Sequence, residues 1–371
     1  MGSARALITA SALLAASTVA ACGSSGSGTA STPSSVTTLA VTRVEPSGGT
    51  TDGTPTATAG DKTVTMAFAG DVHFEEEIAP YLDDPAGLAP VARMLSAADL
   101  AVVNLETAIT TRGAPEPKKY HFRAPATALD ALRQAGVDLV SMANNHAVDF
   151  GASGLADTLA AKAGSQIPVI GIGRDADEAF APYTSTIKGR TVAVLAATQV
   201  PDWTAATWAA GPSTPGVASA REPRRLIDAV ENANESADIV VVFLHWGTER
   251  VGCPTAEQRT LAQAFARAGA DIIVGAHAHV LLGAGWLDRT FVDYGLGNFM
   301  WYGANSQREA TTGVLTLSVS DGAVSRVSWL PARIPPGGGL PQVVTGSAAR
   351  TAVRDWKSLR SCTGLSGWRS E

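Results

Sequence analysis

The sequence predicts an α/β domain whose sheets are covered on both faces. Short runs of Val, Ile, Leu, Phe and Ala recur without polar interruption, as in Ile239-Val240-Val241-Val242-Phe243-Leu244. A strand buried on both faces reads as such a run rather than as an alternation. These runs alternate with stretches of helical periodicity, the order that lays helices over a sheet. The pattern fills residues 62–331 of the 371, enough for one large domain or two tightly fused ones, with no internal repeat.

The elements follow in order. Residues 64–69 form a β-branched and apolar strand, residues 88–97 a helix, and residues 100–103 a second strand. Leu129, Leu132 and Ala135 recur at helical spacing within 126–135, and Gly136 ends that helix. A strand over 138–142, a helix near 154–163, and strands at 168–170 and 192–195 come next. A helix over 223–235 precedes the run 239–244, and a helix over 257–268 precedes strands at 272–274 and 291–294. Residues 314–319 and 324–330 flank Asp321-Gly322 and read as a hairpin. The segment 332–371 is Pro- and Gly-rich, with a short final helix at 348–359, and is expected to pack on the domain.

The first 61 residues have a different character. Arg5 precedes an apolar stretch, Leu7 to Ala21, that is short for a membrane span. It ends Val19-Ala20-Ala21-Cys22, which resembles the lipobox of bacterial lipoproteins. That resemblance implies a lipoprotein signal peptide over 1–21, acylation of Cys22, and a chain held by lipid at the extracytoplasmic face of the cell membrane. The alternative is an ordinary secretory signal with Cys22 incidental. Residues 22–61 are dominated by Ser, Thr, Gly, Pro and Ala and read as a flexible tether, since they cannot bury enough surface to offset their ordering entropy. With Cys22 acylated, Cys253 and Cys362 remain and are expected to form a disulfide in an oxidising compartment; two free thiols are the alternative. The net charge of −6 is spread over mixed acidic and basic residues, and no basic stripe argues for nucleic acid.

Chemistry gathers where the strands end. The first ends Gly70-Asp71-Val72-His73, the second Asn104-Leu105-Glu106 and the third Asn144-Asn145-His146. The run from Ile239 leads into His245-Trp246-Gly247, and the next strand into Gly275-Ala276-His277-Ala278-His279. Five of the six histidines lie in these segments. Loops at strand carboxyl ends carry ligands in α/β proteins, and Asp, Glu, Asn and His bind divalent metals. A lone buried histidine is most often a satisfied core residue; five such pieces after five strands are hard to assign to packing alone.

That order of motifs resembles the calcineurin-like metallophosphoesterase superfamily. The forms Gly-Asp-Val-His-Phe, Asn-Leu-Glu, Asn-Asn-His-x-x-Asp-x-Gly, His-Trp-Gly-x-Glu, Gly-x-His-x-His-Val and Leu-Gly-Asn-Phe resemble its poly-γ-glutamate capsule-synthesis branch, over residues 63–331. The resemblance implies a four-layer sandwich, two mostly mixed β-sheets face to face and flanked by helices. It implies two divalent cations, Mn, Zn or Fe, in which Asp71, His73 and His279 hold one and Asn145, His245 and His277 the other. Glu106 stands where the superfamily has a bridging Asp, a longer side chain without the usual Gly-Asp frame. His146 would be the general acid. Asp149 would fix its tautomer, or would instead cap the helix after Gly151.

Other positions have two readings each. Glu249 lines the pocket or makes a surface salt bridge, and Asn298 closes the pocket floor or shapes a turn. The run Lys118 to Arg123 presents cations to an anionic substrate or is a solvated loop, with Arg123 the member placed to point inward. Trp203, Trp208, Trp246 and Trp301 are core or pocket wall. The expected function is a metal-dependent hydrolase acting on a phosphoester or in the assembly or anchoring of an anionic surface polymer. The rival is a non-catalytic accessory that binds the polymer or organises its synthase; a phosphatase unrelated to capsule is a third option.

Overall fold

The computed structural model describes residues 62–367; the expected leader, Cys22 and the tether lie outside them. Strands β1 (Val64–Val72), β2 (Leu100–Leu105), β3 (Leu139–Ser141) and β4 (Val169–Ile170) run parallel. Helices α1 (Ala89–Leu95), α2 (Thr127–Gln134) and α3 (Gly151–Gly164) fall in their connections. A second sheet follows, made of β5 (Tyr183–Ile187), β6 (Arg190–Thr198), β7 (Ile239–His245), β8 (Ile272–Ala276), β9 (Ala284–Leu287) and β10 (Thr290–Asp293). Its spatial order is β9-β10-β8-β7-β6-β5, with α4 (Arg224–Asn234) and α5 (Ala256–Ala268) before and after β7. The chain then returns to the first sheet through β11 (Asn298–Tyr302), β12 (Thr311–Ser320), β13 (Ala323–Arg333) and β14 (Gln342–Val343). That sheet runs β14-β13-β12-β1-β2-β3-β4, and β11 pairs in parallel with the end of β1. Both sheets are mixed. A last helix, α6 (Gly346–Ser358), follows.

Three apolar layers explain the uninterrupted strand runs. Met66, Phe68, Val102, Leu315 and Leu317 of the first sheet meet Val194, Val241, Phe243 and Val274 of the second. The opposite face of the first sheet, with Ala67, Ala69 and Val103, packs on Leu129, Leu132 and Leu155 of its helices. The outer face of the second, with Leu195, Val242 and Leu244, packs on Leu226, Val230 and Phe265. Each buried Val, Leu, Phe or Met among them contributes about 1.5–3 kcal/mol. The result is helix, sheet, sheet, helix, the four layers expected. Local signals agree with the layers: Thr255 and Gln258 make a reciprocal capping box at the start of α5, and Gly269 ends it in the left-handed region.

The C-terminal segment is anchored on the domain. Trp356 of α6 is buried and stacks on Trp329 of β13 with ring centroids 5.3 Å apart. Cys362 is bonded to Cys253, 109 positions away; closing a loop of that length removes about 5 kcal/mol of unfolded-chain entropy. Among the described residues no helix is long and apolar enough to cross a membrane.

One buried group works against the fold. Asp293, at the end of β10, is fully buried; Oδ1 accepts from the Gly295 amide at 3.0 Å, while Oδ2 has no hydrogen-bond partner among the described residues. Burial pushes its carboxyl up to about 8. Between the ordinary carboxylate value near 4 and that figure, the unfolded chain ionises while the folded one keeps its proton, so stability falls as pH rises across this window. Asp293→Asn removes the proton linkage. The variant is expected to match the wild type near pH 4 and to exceed it by a few kcal/mol at pH 8, read from urea midpoints. A constant difference across that range would refute the argument.

Candidate metal centre

The two sheets deliver their polar strand ends to one place. Asp71 is the penultimate residue of β1, its amide bonded to the Gly297 carbonyl at 3.0 Å. Asn104, near the end of β2, turns its side-chain amide between Asp71 Oδ1 at 2.9 Å and His245 Nδ1 at 3.1 Å. Since His245 ends β7, this one amide spans the sheets. Asn144 in turn donates to Asn104 Oδ1 at 3.1 Å and to the Leu105 carbonyl at 2.8 Å. Asn145 Oδ1 lies 2.7 Å from His245 Nε2. Asn104 and Asn144 had no role assigned from sequence, although an asparagine closing an apolar run is a visible signal.

Glu106 lies at the centre. It is fully buried, and neither carboxylate oxygen has a hydrogen-bond partner among the described residues. Its Oε1 stands 3.5 Å from His245 Nε2, 3.9 Å from His146 Nε2 and 4.0 Å from His279 Nε2. His277 and His279 have φ of 88° and 54°. Such left-handed backbone in non-glycine residues costs about 1–3 kcal/mol each and gathers at functional sites. Here it brings two histidines separated by one residue to the same carboxylate. Ligand atoms of Glu106, His277 and His279 lie within 4.8 Å of one another, as do those of Asp71, Glu106 and His245. The two groups share Glu106. A buried, unpartnered carboxylate among oxygen and imidazole donors costs free energy unless a cation satisfies it, and His277 Nδ1, which has no hydrogen-bond partner among the described residues, adds to this. The donor set fits divalent cations.

Beside the cluster stands an ordered imidazole. His146 Nδ1 meets Asp149 Oδ2 at 2.6 Å, and the Phe122 amide donates to the same oxygen at 2.7 Å. Asp149 therefore faces His146. The alternative role as helix cap is not taken, because α3 begins after Phe150 with no side-chain cap bond.

The remaining positions sort as follows. His73 lies outside both of those ligand groups. Its Nδ1 faces the Glu75 amide at 3.0 Å and its Nε2 the Tyr302 amide at 3.2 Å. Its ring sits in an aromatic box, with centroids 4.8 Å from Phe122, 4.3 Å from Trp301 and 4.7 Å from Tyr302. His279 clusters with Glu106 and His277 and also stands 3.2 Å from Asp71, while His245 clusters with Asp71 and Glu106 and lies 2.7 Å from Asn145 Oδ1. Asn298 orients rather than floors: its Oδ1 lies 2.9 Å from His279 Nδ1 and its amide donates to the His279 and Glu309 carbonyls. His279 Nδ1 also lies 3.2 Å from Asp71 Oδ2, and its Nε2 stands toward Glu106. Glu249 is exposed, 4.0 Å from Arg250 Nη1. Arg123 lays its guanidinium over the Phe150 ring, 3.5 Å from the centroid, and so packs as a wall. Trp301 tilts against His279 at 4.6 Å, Trp246 is core, Trp208 is half-buried and Trp203 is exposed.

The charges are unevenly set. Burial, then the charge of Asp71, raises Glu106 well above the ordinary carboxylate range. Burial alone would raise Asp71 too, but the hydrogen bond and charge of His279 bring it below its usual value. For His279, burial is outweighed by Glu106 and Asp71, which lift it to about 9. Burial takes His245 down to about 4 and holds His146 and His277 well below the usual range. A neutral imidazole is the ligating form.

Comparison with known proteins gives the following. The family model described as bacterial capsule synthesis protein PGA_cap matches residues 65–302. The PGA biosynthesis protein CapA of Bacillus subtilis is 32% identical over 250 residues, 66% of this chain and 65% of that protein, so the match spans just under two thirds of the relative. The capsule biosynthesis protein CapA of Bacillus anthracis is 28% identical over 302 residues, 78% of this chain and 72% of that one. Among solved structures, Haemophilus influenzae NAD nucleotidase (NadN) is 13% identical, covering 83% of this chain and 65% of that one, with a TM-score of 0.43. Similarity at that level speaks to neither activity nor substrate.

Proposed function

The chain belongs to the bacterial capsule synthesis protein family PGA_cap, and from that premise we propose an exported, lipid-anchored metal-dependent hydrolase acting on a phosphoester during assembly or anchoring of an anionic surface polymer. The observation that carries the reading is the shared carboxylate. Glu106 is buried and unpartnered between two ligand groups, with a carboxylate-bound histidine at 3.9 Å. Asp71, Glu106, Asn145, His245, His277 and His279 would hold the cations. When bound, these supply Lewis acidity toward phosphoryl oxygens and lower the pKa of water.

The chain's own residues do the rest. Asp149 accepts from His146 Nδ1 and so fixes the ring, leaving Nε2 as the atom that exchanges a proton with the leaving oxygen. Asn298 and Asn104 hold the rings of His279 and His245. Phe122, stacked on His146 at 4.2 Å, and Trp301 wall off water on that side. Acylation at Cys22 and the 22–61 tether would place the centre at the extracytoplasmic membrane surface.

The test is hydrolysis of simple phosphomonoesters and diesters with added manganese or zinc. Wild type is expected to turn over, and His146→Ala and His277→Ala to lose about 10²-fold or more. Equal rates in all three would sink the reading. Both Bacillus relatives carry biosynthetic names, which favours one second reading, an accessory that binds the polymer or organises its synthase. Metal analysis and polymer pull-down with the same variants separate the two, because an accessory keeps its polymer when His146 is lost.

A further inference from the structure

Lys118 opens a run of cationic and aromatic residues that sequence alone assigns to solvent or to a substrate. The fold puts it elsewhere. Its side chain is only 13% exposed, and Nζ lies 2.5 Å from Asp149 Oδ1. The same ammonium donates to the Asn145 carbonyl, which also accepts from Thr204 Oγ1 at 2.6 Å. The loop around it is folded about Asp149: the Glu116 amide donates to the Asp149 carbonyl at 2.9 Å and the Phe122 amide to Asp149 Oδ2 at 2.7 Å. One cation thus touches the carboxylate that holds His146 and the peptide that joins Asn145 to His146.

We propose that Lys118 is a positioning residue: by occupying Asp149 Oδ1 it keeps Oδ2 on His146 Nδ1, and so keeps Nε2 as the ring atom facing Glu106. A carboxylate rotates freely about its last torsion unless both oxygens are engaged. Here Oδ1 is held in an ion pair by the ammonium at 2.5 Å, and Oδ2 takes the imidazole and the Phe122 amide. Remove the ammonium, and a fully buried carboxylate loses its counter-charge. Relief comes by rotation or by protonation, and either one releases the imidazole from a single tautomer. Burial pushes Asp149 up to about 6 even with Lys118 opposing it, consistent with a carboxylate that depends on this partner. Arg123 and Lys119 cannot substitute, since one is stacked on Phe150 and the other lies over Tyr120.

As a statement about turnover this rests on the phosphoester reading; as a statement about the imidazole it does not. The experiment compares wild type, Lys118→Met and His146→Ala on two esters of one phosphoryl group. The alkyl ester needs a proton on its leaving oxygen, and the nitrophenyl ester does not. Lys118→Met is expected to lose about 10²-fold on the alkyl ester and at most a few-fold on the aryl one, and to add almost nothing in the His146→Ala background. Equal losses on both esters, or full additivity, would overturn the proposal. In parallel, nitrogen-15 spectra of the histidine rings are recorded without added metal. A single, slowly exchanging Nδ1–H tautomer is expected for His146 in wild type, and tautomer averaging in Lys118→Met. An unchanged ring spectrum overturns the proposal too. Should the methionine variant not fold, Lys118→Arg serves: the ester split and ring signature are expected at reduced size, and their absence counts against the idea. Wild type inactive on both esters defeats the phosphoester reading, and the ring spectra then decide Lys118 alone.

Discussion

Replacing Glu106 with glutamine is expected to raise the melting temperature of the metal-free protein while abolishing the stabilisation that added manganese or zinc confers on wild type. The two signs come from one carboxyl. Without a cation, Glu106 is sealed in the core with neither oxygen hydrogen-bonded among the described residues and Asp71 nearby, which lifts its pKa and destabilises the fold. Glutamine has the same shape and no charge to bury, so the metal-free variant gains about 1–3 kcal/mol, a shift of a few degrees for a domain of this size. With metal the balance reverses. Both ligand groups contain Glu106, so its loss weakens both, by about 10²-fold or more. At a cation concentration near 1,000 times the wild-type Kd, wild type gains about 4 kcal/mol, and the variant is expected to gain little of it. Melting curves with chelator and with metal read both effects. A variant that is less stable without metal, yet keeps its metal shift, would show that Glu106 is a structural acid and that the shared-carboxylate assignment is wrong.

That experiment matters because the sequence shows the cluster better than it shows how the cluster is held. Strands buried on both faces, such as Val64–Val72 and Ile239–His245, read as apolar runs, so Asp71 and His245 stand out as the first polar residues at their ends. His277 and His279 are legible as a pair, although their positive φ is not. His73 shows the limit. Period-two alternation in an extended segment puts positions 71 and 73 on one side. The pairing of β1 slips around Asp71, where Gly70 has no partner on β2 and the register with β11 shifts between Asp71 and Val72. Past that point His73 turns into a box made by Phe122, Trp301 and Tyr302, residues 49 to 229 positions away, which no local spacing encodes. Lys118 fails in the other direction: a charged run reads as solvated, and only the fold brings Asp149 to it. The strand Asn298–Tyr302 likewise escapes a periodicity argument, being five residues long and followed by a turn-rich stretch.

The slip at Asp71 has a steric cause, and it sets the largest stability effect expected of a one-carbon change. A methyl group built on Gly70 would stand 1.7 Å from the carbonyl oxygen of Gly297 and 2.8 Å from its carbon. Both are backbone atoms, so no side chain can swing aside. The Gly297 oxygen is the one that accepts the Asp71 amide at 3.0 Å. Making room for the methyl therefore means separating β1 from the approach to β11, and with it the Asp71 to Asn298 register. Asp71 is a ligand candidate, and Asn298 holds His279. Gly70→Ala is expected to cost at least about 3 kcal/mol and, in whatever folds, to reduce the metal-dependent rise in melting temperature. Gly164→Ala is the control. It ends α3 with nothing within 4 Å of the added carbon, and alanine there should be neutral or stabilising by under about 1 kcal/mol. If Gly70→Ala melts with Gly164→Ala and keeps its metal response, the close passage of β1 and β11 is not what holds the centre together. If it falls while the control stands, glycine at 70 is there because a backbone oxygen occupies the space of its side chain, and the cluster exists only at that distance.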